Sequence, residues 1–139
     1  MKRFGFVVMV TCGLWLATGE AWALPQFKKA FEEKYEVKQN PEYKALMRKA
    51  GCNACHVKGE QDKSIQNAYG QALNELVEGS AKERLDAAKE VGRDEQKAEL
   101  AKLVEEFTVA LDKVDEMATE SGETFGDRIR EGKLPVDLP

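Results

Sequence analysis

The sequence predicts an all-α fold. After residue 23, Ala, Leu, Glu and Lys dominate, and no stretch alternates polar and apolar residues as a half-buried strand does. Hydrophobic residues instead recur every three or four positions, which is the spacing of one face of a helix. Residues 24–139 are enough for one small helical domain.

The first 23 residues have the layout of a secretory signal peptide. Lys2 and Arg3 provide a basic start, an apolar run covers residues 4–19, and Ala21-Trp22-Ala23 forms a small-x-small cleavage signature. An uncleaved membrane anchor ranks second, because the run is shorter than the ~20 residues that a spanning helix needs. We therefore expect an exported protein, periplasmic in a bacterium, in which residues 24–139 form the single domain.

Start and stop signals predict six helices in the mature chain. Phe27, Phe31 and Tyr35 lie four residues apart and indicate the first helix. Asn40, followed by Pro41, is a predicted N-cap for the second helix, which runs to Gly51. Caps are likewise predicted at Ser64, for a helix that ends near Gly79, and at Ser80, for a helix through Val91.

The fifth predicted helix is the longest. It runs from Asp94 to about Glu120, with one apolar stripe that includes Leu103, Phe107 and Met117. This stripe suits a coiled-coil pair, but the other amphipathic helices favour packing within one bundle. A sixth helix is predicted over residues 124–131, ended by Gly132 and Pro135.

Charge is divided unevenly along the mature chain. Residues 24–63 contain nine Lys and Arg against six Asp and Glu, whereas residues 64–139 contain ten against eighteen. This balance does not resemble a nucleic-acid-binding surface. The basic segment is either an ordinary solvated face or a docking surface for an acidic redox partner. Its members are Lys44, Arg48, Lys49, Lys58 and Lys63.

The stretch Gly51 to Gly59, GCNACHVKG, contains the strongest functional signal. It holds the only histidine of the chain, His56, and two of its three cysteines, Cys52 and Cys55. C-x-x-C-H is the attachment motif for c-type haem. Two thiols at this spacing reach the two vinyl groups of a porphyrin, and the following histidine can place an imidazole nitrogen on the iron.

Other interpretations of this stretch are weaker. A thioredoxin-like redox pair would need a βαβ context, and the sequence contains no strand pattern. A structural zinc site needs four ligands, whereas Cys52, Cys55 and His56 supply three and the mature chain contains no other Cys or His. A disulfide between residues three apart would close a very small loop and add little stability.

With this motif, the chain resembles a small secreted monohaem c-type cytochrome. More narrowly, it resembles short bacterial proteins of this kind that have an aromatic-Gly helix after CxxCH and a GxTFG…GKLP ending, here Ala68-Tyr69-Gly70 and GETFGDRIREGKLP over residues 122–135. The resemblance covers most of the mature chain, but only CxxCH is specific. It implies an all-helical fold around one haem, covalently bound through Cys52 and Cys55, with His56 as the proximal ligand.

A short internal similarity joins two parts of the chain. AYGQAL, residues 68–73, and TFGDRI, residues 124–129, share an aromatic residue followed by glycine. Coincidence is one interpretation. The other is that Tyr69 and Phe125 pack on the haem, while each glycine lets another backbone come close.

The sixth iron ligand remains open at this stage. Met117 lies downstream of the motif, as the distal methionine of many cytochromes c does, but it also continues an apolar helical stripe and can be a core residue. Familiar small cytochromes place this methionine in a loop before the last helix, whereas Met117 falls near the end of the predicted long helix. A lysine, a water molecule or an open site are the other candidates.

We expect a periplasmic electron-transfer protein whose single haem iron alternates between Fe(III) and Fe(II). The alternative is a haem-based ligand binder or sensor with an open or labile sixth site. Beyond the iron, the sequence contains no nucleophile–base pair and no carboxylate constellation, so we do not expect an enzyme.

Overall fold

The structure is a computed structural model and describes residues 24–62 and 64–138. It consists of six α-helices and one 3₁₀ helix. The predicted signal segment and Lys63 lie outside the described residues. None of the helices in the described part of the chain combines the length and apolar character needed to cross a bilayer. The helices are α1 Pro25–Lys34, α2 Pro41–Ala50, the 3₁₀ helix Gly51–Ala54, α3 Ala68–Leu76, α4 Ala81–Val91, α5 Arg93–Val114 and α6 Phe125–Arg130.

The all-α prediction is confirmed. The described residues contain no strand and only two isolated β-bridges, His56 with Gln66 and Ala118 with Thr124. Helix α5 is the central element, since α1, α3 and α4 all pack against it. Packing within one bundle, rather than a coiled-coil pair, therefore accounts for its apolar stripe.

Several helix ends follow from local sequence. The Asn40 side chain accepts hydrogen bonds from the backbone N–H groups of Glu42 and Tyr43 at 3.1 and 3.0 Å, which caps α2 as predicted. Ser80 and Thr124 cap α4 and α6 in the same manner, through the N–H groups of Glu83 and Asp127. These caps depend only on neighbours in sequence.

The prediction that Ser64 caps α3 is wrong. The helix begins at Ala68, and the cap is Asn67, whose Oδ1 accepts from the N–H of Gly70 at 3.0 Å. Residues 65 and 66 instead pair with the segment after CxxCH, since the N–H of Val57 donates to the Ile65 carbonyl at 3.2 Å. This pairing delays the start of the helix by three residues.

The predicted end of the long helix is also wrong. Helix α5 stops at Val114 instead of continuing to Glu120. The carbonyls of Asp115 and Met117 accept hydrogen bonds from the N–H groups of Gly126 and Phe125, at 3.2 and 3.0 Å. Because the returning chain supplies these donors, the helix unwinds, and Met117 lies in the loop between α5 and α6.

A cluster of ion pairs joins α4 to the central helix. Arg84 of α4 donates to Glu106 of α5 through both terminal nitrogens at 2.7 and 2.8 Å, and to Glu99 at 2.6 Å. The hydrogen bond from Arg84 lowers the pKa of the Glu106 carboxyl, in spite of the opposing effect of partial burial. This pairing attaches α4 to the central helix.

Candidate functional site

The Cys52-x-x-Cys55-His56 motif forms one compact turn. Helix α2 ends at Ala50, and the 3₁₀ helix that follows contains Cys52. The Cys52 carbonyl accepts from the N–H of Cys55 at 3.2 Å and from the N–H of His56 at 3.0 Å. The three side chains of the motif therefore belong to a single turn, which we call the attachment turn (residues 51–56).

The two cysteines are not bridged and have different environments. Cys52 is exposed, whereas Cys55 is partly buried against the hydrophobic core. Burial, with a smaller contribution from the charge of Cys52, raises the pKa of the Cys55 thiol to about 12. The Cys55 thiol is therefore protonated at neutral pH.

The start of α3 packs against the backbone of the attachment turn. The Asn67 side chain donates to the carbonyls of Asn53 and Ala54 at 3.0 and 3.1 Å, and the N–H of Asn67 donates to the Cys55 carbonyl at 3.0 Å. A Cβ atom on Gly70 would lie 2.0 Å from that same carbonyl oxygen. Only glycine fits there, so α3 can press directly onto the backbone of Cys55.

Asn67 is a site residue that the sequence analysis missed. Its position immediately before Ala68-Tyr69-Gly70 was an available signal, because Asn is a preferred N-cap. Its amide can serve the helix with its oxygen and the attachment turn with its nitrogen at the same time.

A second turn, which we call the methionine turn (residues 115–119), is supported in a similar way by α6. A Cβ atom on Gly126 would lie 2.9 Å from both the carbonyl oxygen and the Cβ of Asp115. The glycine that segments 68–73 and 124–129 share therefore has the same structural role in both. In both cases a glycine on the first turn of a helix allows a backbone carbonyl to approach.

The aromatic residues of the two similar segments meet in the core. Tyr69 is fully buried and Phe125 is 4% exposed, and their ring centroids lie 5.2 Å apart at an interplanar angle of 65°. Tyr69 also contacts the ring of Phe31 at 6.1 Å. The contact between Tyr69 and Phe125 thus links α3, which packs on the attachment turn, to α6, which packs on the methionine turn. Their packing against a haem stays a prediction.

A partly buried hydrogen-bond network attaches the methionine turn to the end of α1. The Tyr35 hydroxyl donates to Asp115 Oδ1 at 2.6 Å, and the hydroxyls of Tyr35 and Tyr69 are 3.2 Å apart. Since the one proton of Tyr35 is used by Asp115, Tyr69 is the donor to Tyr35. Lys34 pairs with the other Asp115 oxygen at 3.2 Å. This network fixes Asp115, two residues before Met117.

Burial and hydrogen bonds together shift the pKa values of the groups in this network. It raises the pKa of Tyr69 and Tyr35, and the hydrogen bond to Asp115 adds to the effect at Tyr35. For Lys34, burial acts to lower the pKa, but the hydrogen bonds to Asp112 and Asp115 outweigh it and raise the pKa. The tyrosines are therefore neutral donors and Lys34 is a cation at neutral pH.

Both expected roles of Met117, distal ligand and core residue, stay predictions. It is partly buried and packs against the core, and its N–H donates to the Val114 carbonyl at 3.0 Å. It lies in the loop before the last helix and not near the end of a long helix, as the sequence predicted. Met47, the other methionine of residues 24–139, is 5% exposed on α2 and is part of the core.

The donor set fits a haem better than a bare metal ion. Within residues 24–62 and 64–138, no group of three or more His, Cys, Asp or Glu side chains is arranged to hold a metal. A c-type haem brings four iron ligands of its own and needs only two thiols and one histidine from the chain. The attachment turn supplies these three groups.

Two members of the basic segment, Lys44 and Arg48, line a small surface pocket of about 140 Å³. Val37 and Met47, both buried, form its apolar floor, and Glu32 is its acidic member. Lys38, Lys44 and Arg48 make no ion pair within the part of the chain that the structure describes. The basic side chains that line it are Lys28, Lys38, Lys44 and Arg48. Lys49 is exposed on α2 and Lys58 is exposed in the following loop, whereas Lys63 is outside the described residues.

Comparison with known proteins identifies no relative: no family model, no curated protein and no solved structure matches the chain.

Proposed function

We propose that residues 24–139 form a c-type cytochrome that transfers single electrons in the periplasm. The observation that carries the proposal is the attachment turn, in which Cys52, Cys55 and His56 project from one backbone turn and neither thiol is in a disulfide. When bound, the haem supplies an iron that alternates between Fe(III) and Fe(II). The chain holds it, orients it and controls access to it.

Each residue of the attachment turn has a separate task. Cys52 and Cys55 would hold the haem through two thioether bonds, each made by adding S–H across a vinyl double bond, with sulfur on one carbon, hydrogen on the other and no leaving group. His56 would supply a neutral imidazole nitrogen to the iron. Gly70 and Asn67 hold the backbone of the turn, which keeps His56 at a constant position relative to the two sulfurs. Met117 is our proposed distal ligand.

Covalent attachment is tested by removing the thiols. We expect the full-length protein, expressed with a cytochrome c maturation system, to retain haem on a denaturing gel, and the Cys52→Ala/Cys55→Ala variant to retain none. Cys12→Ala, which changes the third cysteine in the predicted signal segment and leaves the motif intact, should stain as the wild type does. Unaltered haem staining in the double variant, or none in the wild type, would refute the proposal.

The basic segment is our proposed docking surface for an acidic redox partner. Lys44 and Arg48 of α2 flank the pocket, and α2 leads directly into the attachment turn. Electron-transfer complexes are weak and short-lived, so steering by charge contributes mainly to the association rate. The cations are concentrated here although the chain as a whole has a net charge of −4.

Docking is tested with hexacyanoferrate(III), a small anionic oxidant. We expect its rate of electron exchange to fall as salt rises, because added ions shorten the screening length from about 30 Å at 0.01 M to about 10 Å at 0.1 M. Lys44→Glu/Arg48→Glu should slow the reaction at low salt. Lys97→Glu, a charge reversal on the exposed side of α5, should slow it less. A wild-type rate that is flat or rises with salt would contradict the docking surface.

A further inference from the structure

Arg128 of α6 is a buried cation with three hydrogen-bond acceptors. Among residues 24–62 and 64–138 it is the only charged residue that is buried, at 7% exposed. Its Nε donates to the Leu134 carbonyl at 3.1 Å, and its two terminal nitrogens donate to Glu123 and Asp137, each at 2.7 Å. Since these acceptors lie on both sides of Arg128 in sequence, one rigid guanidinium fork joins the loop before α6 to the segment after it.

The segment after α6 packs onto the rest of the molecule, and we call it the strap (residues 133–137). Pro135 is fully buried, and Leu134 and Val136 pack against the hydrophobic core. This apolar contact holds the strap, and the strap presents two of the three acceptors of Arg128. The guanidinium is therefore bound on one side by residues that are themselves packed.

Glu123 connects Arg128 to the methionine turn. Its carboxylate accepts from Arg128, and its backbone carbonyl accepts from the N–H of Thr119 at 2.7 Å and from the Thr119 hydroxyl at 2.9 Å. The N–H of Phe125 donates to the Met117 carbonyl at 3.0 Å. These bonds make a short antiparallel hairpin, whose outgoing arm contains Met117 and whose returning arm is hydrogen-bonded to Arg128.

We propose that Arg128 is a positioning residue, which ties the returning arm of this hairpin to the strap and thereby holds the methionine turn in one position. Removing one partner of a buried ion pair leaves the other charge uncompensated, so the loss of Arg128 acts directly on Glu123. The hairpin then opens more often, and its backbone N–H groups meet solvent. The consequence for the iron rests on the proposed function: a fixed turn keeps the Met117 thioether available as the sixth ligand.

Hydrogen–deuterium exchange of the haem-loaded protein tests the inference. We expect Arg128→Gln to raise the exchange rate over residues 115–125 by about tenfold or more, as the loss of hydrogen bonds to a charged group would, and to leave the rate over α2 unchanged. It should also weaken the methionine-to-iron charge-transfer band. Arg130→Gln is the matched control, because Arg130 also lies on α6 and pairs with an acid, Asp127, but its side chain is 63% exposed. Its exchange should match that of the wild type.

Arg128→Lys keeps the charge but loses the fork, so it should give an intermediate rate, and it replaces Arg128→Gln if that variant does not fold. An unchanged rate over residues 115–125, or an equal rise over α2, would overturn the inference, because Arg128 would then be inert or a general stabiliser. A selective rise supports the inference even where the wild type shows no charge-transfer band, a result that contradicts only ligation by Met117. A wild type without covalent haem refutes the proposed function, and a selective rise still supports the positioning of the turn.

Discussion

We expect Gly70→Ala to destabilise the protein by at least about 3 kcal/mol, at the upper end of the cost of overpacking a core. The added Cβ would lie 2.0 Å from the Cys55 carbonyl oxygen and 3.0 Å from its carbon. Neither atom can turn aside, because both belong to the backbone of the attachment turn. Either α3 moves away or the turn deforms, and both outcomes disturb the position of His56.

Denaturant unfolding of matched glycine variants measures this effect. Gly126→Ala should cost less than Gly70→Ala, because its nearest contacts are at 2.9 Å. Gly92→Ala is the control: its φ of 161° is extended backbone, and its Cβ would meet no atom within 4 Å. We expect a change within about 1 kcal/mol there, the usual cost of losing a favourable N-cap residue. Similar losses for Gly70→Ala and Gly92→Ala would show that α3 does not press on the attachment turn.

We expect Met117→Ala to open the sixth coordination site. The oxidised variant should lose the methionine-to-iron charge-transfer band, its midpoint potential should fall, and the reduced variant should bind carbon monoxide that the wild type resists. The physical reason is that a neutral thioether ligand favours Fe(II) and occupies the position that carbon monoxide needs.

Met47→Ala separates ligation from packing. Met47 is buried in the core, so its truncation should cost about 2–5 kcal/mol of stability but leave the charge-transfer band intact. If Met117→Ala also loses stability alone, with an unchanged spectrum, Met117 is a core residue. If the reduced wild type already binds carbon monoxide, the ligand-binding alternative replaces electron transfer.

Local features of the fold could be predicted from the sequence. Asn40-Pro41 and Ser80 act on N–H groups two or three residues away, so their patterns are sufficient to place the starts of α2 and α4. The same holds for the attachment turn, since its three chemical groups lie within five residues. The glycine role in the two similar segments was also predictable, because a costly glycine in a helix indicates close packing.

The end of α5 could not be predicted in this way. The apolar stripe continues through Met117, so periodicity alone extends the helix. What ends it is a set of donors from Phe125 and Gly126, supplied by a segment that returns after a loop. Hydrophobic spacing reports which face is buried and contains no information on which carbonyls meet distant N–H groups.

The sequence by itself determined the helical class, most helix starts, and the cofactor chemistry that we propose for Cys52, Cys55 and His56. The tertiary structure alone decided that Asn67 and Gly70 hold the attachment turn, that Tyr35 and Asp115 anchor the methionine turn, and that Met117 lies outside a helix. It also decided that the Tyr43 hydroxyl is buried without a hydrogen-bond partner among the residues that the structure describes. These features join residues far apart in the chain, and a hydrogen bond or steric contact between them depends on how the helices pack.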